Sequence, residues 1–250
     1  GTGIGKACAA KLAADGAAVT ICGRTEASLV AAAEDIAGQI SGAGSIAWIS
    51  GDVTSEADVE AFVARTAEPT GTLNGVVANA GGGGMPMAYG DLDIEEFSRV
   101  LNLNVLGTVL CMKHSIGKML EAGGGSFVGM SSLAGHITHP YFHAYCAGKA
   151  GVEAMMRNAA DEYGKDNIRF NAIRPGFVAT EIMDGIPRDS EIYQSYIDNT
   201  PMNDVGQPED IAELARFLIG PESRWITGQC INVDGGHSLR RGPNFSSFVA

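Results

Sequence analysis

Three side chains in the middle of the chain have the types and spacing for acid–base chemistry. Tyr145 and Lys149 are four residues apart, so on a helix they lie one above the other on one face. An ammonium beside a phenol favours phenolate, lowering the tyrosine pKa from about 10 toward neutrality, where it works as a general acid or base. Ser132 stands thirteen residues before Tyr145, just past the apolar run 125–130, where its hydroxyl can reach the same substrate oxygen. A Tyr-x-x-x-Lys pair alone is often only a surface pair. The serine and two glycine turns, in order, make it specific.

The first of those turns is Gly1-Thr2-Gly3-Ile4-Gly5, ahead of an Ala-rich helical stretch. Backbone without Cβ can approach a pyrophosphate there, and a helix N-terminus favours its negative charge. The second is Asn79-Ala80-Gly81, which ends a buried apolar run and continues in glycine to Gly84. It puts a Cβ-free surface where a ligand can lie. Tight packing explains the first turn equally well, and a mobile loop the second.

These residues need a scaffold, and the hydrophobic pattern supplies one. Helical stretches are expected at 7–14, 26–40, 94–120, 141–163 and 208–218, the last with Pro at its start. Ser55-Glu56-Ala57-Asp58 reads as a capping box opening another helix to about residue 67. Strands are expected at 19–22, 45–50, 73–79, 125–130, 169–173 and 229–233. This alternation implies βαβ crossovers: an α/β fold with a single doubly wound parallel sheet, helices on both faces, and ligands at the carboxyl ends of the strands. No Pro/Ser-rich linker divides residues 1–250, so one domain is expected. No strand precedes the first glycine turn. That strand is therefore expected to be missing and the sequence incomplete.

Composition narrows the function classes. Of 250 residues 45% are apolar and 18% charged, which fits a well-buried globular chain. The 34 glycines have no three-residue period, which excludes collagen. A net charge of −12 disfavours nucleic acid. No run approaches the ~18 apolar residues of a membrane span. Cys8, Cys22, Cys111, Cys146 and Cys230 are scattered, without a CxxC pair, so no disulfide framework or zinc site is legible. No signal peptide is visible, and a reducing cytoplasm is the expected compartment.

Taken together, the chain resembles the short-chain dehydrogenase/reductase family in its compact form, along its whole length. Residues 1–5 resemble the second half of the family's Thr-Gly-x-x-x-Gly-x-Gly turn, and Asp52-Val53 its acidic residue over the adenine. Asn79-Ala80-Gly81 matches its Asn-Ala-Gly, and Asn104-Val105-Leu106-Gly107 its Asn-x-x-Gly. Ser132, Tyr145 and Lys149 match its catalytic residues, the segment from Arg174 through Pro175, Gly176, Val178 and Thr180 its Pro-Gly segment, and Asp234-Gly235-Gly236 its terminal Asp-Gly-Gly. The departure is the missing first strand and first glycine.

The resemblance implies NAD(P)-dependent hydride transfer between the nicotinamide and a carbonyl or secondary alcohol substrate. Tyr145 would exchange the hydroxyl proton and Ser132 bond the carbonyl oxygen. Lys149 would tune the tyrosine and hold the nicotinamide ribose, and Asn104 would position a water linking Lys149 to solvent. Many compact members reduce 3-oxoacyl-acyl carrier protein substrates. This acidic chain offers only Arg240-Arg241 as a landing patch for that carrier. The alternatives are a non-catalytic NAD(P)-binding protein, which usually loses the Tyr or Lys, and a lyase or epimerase, disfavoured by the compact length. An enoyl reductase is expected to space Tyr and Lys by six or more residues rather than three.

Cofactor choice turns on the tip of the second strand of the family fold. An NAD reader has an acidic residue about 20 positions past the glycine turn. Arg24 occupies that place here, and an arginine can pair with the 2′-phosphate of NADP. NADP is therefore expected, with NAD as runner-up. His136, His139 and His143 are expected to line the substrate pocket or its rim rather than bind a metal, because Pro140 breaks their helical spacing. Cys146 is expected to pack. Residues 183–202 are expected to form a substrate lid. A homotetramer or homodimer is expected, with Phe245 and Phe248 of the tail 237–250 docking across a two-fold axis.

Overall fold

The structure is a computed structural model that describes residues 1–240, Gly242 and Phe245. In chain order the elements are α1 (Gly3–Ala14), β1 (Ala18–Gly23), α2 (Glu26–Gln39), β2 (Ser45–Ser50), α3 (Glu56–Ala67) and β3 (Gly75–Ala78). Then come α4 (Ile94–Leu101), α5 (Gly107–Glu121), β4 (Gly125–Met130), α6 (His143–Tyr163), β5 (Ile168–Pro175), α7 (Glu191–Asn199), α8 (Pro208–Ile219) and β6 (Cys230–Val233).

All strand pairs are parallel, as crossover helices require. The ladder runs in two pieces, β1–β2 and β3–β4–β5–β6, rather than as one continuous sheet. The interruption lies between β1 and β3, where no described strand pairs in. Helices bridge it on both sides. Helix α1 packs on β1 and on α8, which covers β3 and β4; opposite, α3 packs on β1 and on α5, which covers β3 and β4.

The central strands bury both faces, hence their near-continuous apolar sequence. On β4, Phe127 points to α5 and α6, and Val128 to α1 and α8. On β5, Phe170 and Ile173 divide in the same way. Phe127 and Phe170 stack with centroids 5.6 Å apart and are fully buried. Each such burial contributes roughly 1.5–3 kcal/mol.

Three expected elements differ. The long helix 94–120 is broken by a π-helical segment, Asn102–Leu106, between α4 and α5. Such insertions cluster at functional sites. Helix α6 begins at His143 rather than 141, because Pro140 precedes Tyr141, which has a left-handed φ of 73°. At Ser55 only half of the capping box forms. Ser55 Oγ accepts from the Asp58 N–H (3.4 Å), but the Asp58 carboxylate accepts from the Asp52 N–H (2.8 Å) instead. The box forms fully on α8, between Gln207 and Asp210. Among the described residues no helix is long and apolar enough to cross a membrane.

Candidate active site

The carboxyl ends of β3, β4 and β5 converge on the first turns of α6. β4 ends at Met130, and Ser132 follows as the cap of a short 3-10 turn, its Oγ accepting from the Ala134 N–H (3.2 Å). Two turns of α6 then present Tyr145 and Lys149 on one face. Burial raises the Tyr145 pKa above its ordinary value, while a hydrogen bond with Ser132 pulls it back. Lys149 is almost wholly buried, and burial lowers its pKa to about 8. Its Nζ donates to the Met130 carbonyl (2.8 Å) and lies 5.6 Å from the centre of the Tyr145 ring. The sequence predicts that Lys149 lowers the Tyr145 pKa toward neutrality; burial, the largest influence here, moves it the other way. Burial moves both groups toward their uncharged forms, the phenol's pKa up and the ammonium's down.

Asn104 sits fully buried inside the π segment. Its Nδ2 donates to the Gly82 and Val100 carbonyls (2.9 and 2.8 Å), and its Oδ1 accepts from the Gly82 N–H (3.3 Å). The side chain therefore pins the Asn79-Ala80-Gly81 loop to the helix pair beneath Lys149. Asn79 itself touches the first glycine turn: a Cβ on Gly5 would lie 2.9 Å from Asn79 Nδ2.

The remaining sequence-expected residues lie along the same edge. Gly3, with φ of 50°, opens α1 and faces the Thr180 methyl group, 3.2 Å from where its Cβ would stand. Thr2 is the exposed N-cap of α1, without a side-chain cap bond, and Ile4 packs into the core below. Gly1 abuts the Ser28 carbonyl at the start of α2. Ala80 is exposed beside Gly81. Pro175 ends β5, Gly176 packs on the Asp234 backbone, and Val178 bridges to Gly206.

At the far end, Arg24 is exposed just past β1, and Asp52 lies just past β2. Asp52 Oδ1 accepts from the Thr54 N–H and hydroxyl, both 2.8 Å. Those bonds, and more weakly Arg24, hold its carboxyl below the usual range. Val53 packs tightly against Gly107 at the start of α5. A recess passes Gly3, Lys6, Thr180 and Glu181. The Cβ positions of Gly1 and Gly5 point at the Ser28 backbone and the Asn79 side chain, so close packing accounts for both glycines, while the N-terminus of α1 at this edge favours an anionic group such as a dinucleotide pyrophosphate.

Sequence reasoning missed the aromatic wall beside Tyr145. Phe142 meets the Tyr145 ring edge-on at 6.0 Å. Phe245 packs on Phe142 at 4.7 Å, and Tyr196 of α7 stacks on Phe177 at 4.2 Å. Met183, Ile186 and Tyr193 extend the cluster. Phe245 therefore docks within its own chain, correcting the expected docking across a two-fold axis; an apolar wall already exists beside it. Phe248 and Arg241 lie outside the described residues. Arg240 donates to the Asp198 carbonyl at the end of α7 (2.5 Å). His139 and His143 are buried, His139 with Nδ1 3.1 Å from the Ile137 carbonyl and His143 stacked on Tyr89, while His136 is exposed. Cys146 lies against the His139 carbonyl (3.8 Å), with burial raising its pKa, as a packing residue does.

A Rossmann-type sheet whose carboxyl edge carries Ser132, Tyr145, Lys149 and two glycine turns defines a class, and comparison with known proteins agrees with it. The family profile described as "Enoyl-(Acyl carrier protein) reductase" matches residues 1–238. A cis-4-hydroxycyclohexanecarboxylate dehydrogenase from Sinomonas cyclohexanicum is 35% identical over 95% of this chain and 93% of its own. A short-chain type dehydrogenase/reductase structure from Mycobacterium ulcerans superposes with a TM-score of 0.96 at 40% identity, covering 98% of this chain and 90% of the other. Levodione reductase superposes with a TM-score of 0.90 at 29% identity, covering 95% and 94%. The chain belongs to the short-chain dehydrogenase/reductase family. It is an NAD(P)-dependent oxidoreductase acting on a carbonyl or secondary alcohol.

Proposed function

We propose that this chain interconverts an alicyclic ketone and its secondary alcohol, with Tyr145 as the proton donor and acceptor. The observation that supports this most is the meeting of Ser132, Tyr145 and Lys149 beneath a wall of Phe142, Phe177, Tyr196 and Phe245. Such a wall favours a compact apolar ring, since burial of apolar surface is the principal term available to it. The names of two relatives, a hydroxycyclohexanecarboxylate dehydrogenase and levodione reductase, point the same way.

In this reading Ser132 Oγ donates to the substrate oxygen and fixes its distance from the Tyr145 hydroxyl. Tyr145 protonates the oxygen in reduction and accepts the proton in oxidation. Lys149 favours the phenolate and holds the nicotinamide ribose, while Asn104 keeps the Gly81 loop and a proton path to Lys149 in place. A bound nicotinamide dinucleotide supplies or accepts the hydride at C4. Gly1, Thr2, Gly3, Ile4, Asn79, Ala80 and Gly81 line its path, with Asp52 and Val53 at the adenine end and Pro175, Gly176, Val178 and Thr180 at the other. The exposed Arg24 favours NADP over NAD.

Residues 183–202 act as a lid, since α7 contributes Tyr196 to the wall. Exposed Ile94, Leu106, Val109 and Leu120 along α4 and α5 supply the apolar face that a homodimer or homotetramer needs. The five unpaired thiols suit a reducing cytoplasm. The deciding experiment follows nicotinamide absorbance with a panel of ring ketones, open-chain ketones and 3-oxoacyl thioesters. Turnover of ring ketones, lost by about a hundredfold or more in Tyr145→Phe with the fold intact, is expected. Full turnover by that variant, or preference for thioesters, overturns the reading.

A further inference from the structure

Directly behind the proposed catalytic face lies a buried polar cluster that hydride transfer does not use. Glu153 is on α6, four residues past Lys149, with its side chain only 5% exposed. Arg174, the penultimate residue of β5, grips both of its carboxylate oxygens at 2.5 Å from Nε and Nη2. The third partner is Ser131, 2% exposed, whose Oγ lies 2.8 Å from Glu153 Oε1 and 3.1 Å from the Lys149 carbonyl. The Ser131 N–H donates to the Ile173 carbonyl of β5 (2.8 Å). Two further groups face the cluster more distantly. Arg157 Nη1 is 4.0 Å from Glu153 Oε2, and Asn232 Oδ1 is 3.4 Å from Arg174 Nη1.

This cluster touches all three backbones that carry the proposed chemistry. Ser131 is bonded to its neighbour Ser132, Lys149 donates to the carbonyl of Met130 immediately before it, and Arg174 is bonded to Pro175. A paired carboxylate in a buried site is held tightly, because losing either partner leaves an uncompensated charge. Bidentate geometry adds directional restraint. The turn after Ser132 is also pressed onto α6, where a Cβ on Gly135 would lie 2.9 Å from the Ala150 nitrogen.

We propose that Ser131, Glu153 and Arg174 form a positioning unit that sets the end of β4 against α6 and so fixes the distance from Ser132 to Tyr145. None of the three touches substrate in this proposal, which rests on the functional reading above for Ser132 and Tyr145. Displacement by about an ångström at such a site costs up to about a hundredfold in rate. The Glu153 carboxylate acts as an anchor for the Ser131 hydroxyl rather than as an acid or base.

The test uses Ser131→Ala, which deletes one hydroxyl and leaves the ion pair, and Glu153→Leu/Arg174→Met, which replaces the pair with apolar groups. Such replacement is often neutral for stability. Both variants are expected to lose about tenfold in kcat with thermal stability and nicotinamide KM near wild type. Glu153→Gln, which keeps an oxygen for the Ser131 hydroxyl, is expected to recover part of the loss in the double variant. A second readout needs no turnover. The phenolate band of Tyr145, taken as the difference between each protein and its Tyr145→Phe counterpart, is expected to titrate at higher pH in Ser131→Ala, because the bond from Ser132 is weakened. Unchanged kcat and an unchanged phenolate midpoint in Ser131→Ala overturn the proposal, even if the double variant does not fold. If wild type turns over no carbonyl substrate, the functional reading fails, and the phenolate titration alone decides the positioning unit.

Discussion

A Cβ on Gly81 would lie 2.7 Å from the Lys149 ammonium nitrogen and equally close to Asn104 Oδ1. The loop after β3 is therefore in van der Waals contact with the two polar groups below it, and neither can retreat. Asn104 is held by three hydrogen bonds, and Lys149 is buried against the Met130 carbonyl. Gly81→Ala is expected to displace the lysine, destabilise the protein by about 1–3 kcal/mol and lower kcat by at least about tenfold. Thermal melts and steady-state kinetics check both. An alanine variant with unchanged kcat shows that the lysine has room the structure does not reveal.

Lys149 also makes stability depend on pH. Its ordinary pKa is 10.5, and burial takes it to about 8 in the folded protein. Between those values the unfolded chain binds the extra proton, so stability rises with pH through the window; below about pH 8 the full cost of the buried charge is present. Lys149→Met is expected to abolish turnover while melting higher than wild type at neutral pH, with the difference shrinking from pH 8 toward 10.5. Parallel melting curves across that range count against a buried ammonium.

Arg24 stands exposed just past β1, close enough to Asp52 to act on its carboxyl. Arg24→Ala is expected to lower kcat/KM for NADP by about tenfold or more and to leave NAD nearly unchanged, since a bidentate pair with the 2′-phosphate is lost only for NADP. A wild-type preference for NAD that survives the substitution refutes the pairing.

Phe245 is 4% exposed, and its ring meets Phe142 and Tyr196, both in the wall beside Tyr145. Phe245→Ala is expected to raise KM for ring ketones severalfold, with a smaller change in kcat, because it removes binding surface rather than a reacting group. Bulkier ketones are expected to gain relative to small ones. Unaltered KM across the panel places the tail outside the substrate pocket.

Much of this architecture is written locally in the chain. Strand and helix alternation follows from hydrophobic period, and the i, i+4 spacing alone puts Tyr145 and Lys149 on one face of α6. The second glycine turn and Arg24 could be located because each follows the end of its own strand. Local signals also failed where a neighbour won. The π segment at Asn102–Leu106 has no period that separates it from the helices on either side. Asp58 left its own capping box for the backbone of Asp52, a partner six residues back.

The sequence by itself determined which elements form and which residue types their ends present, because both depend on interactions within a few turns or a single strand. The tertiary structure decided the rest: that Gly81 rests on Lys149, that Glu153 of α6 grips Arg174 of β5, and that Phe245 closes on Phe142 a hundred residues earlier in the chain. These pairings join residues far apart in the chain. Their distances follow from how the strands register and the helices pack, and no pattern within a segment encodes them. The same cause governs the lysine pKa: the residue type gives an ordinary amine, and burial beneath three strand ends lowers it.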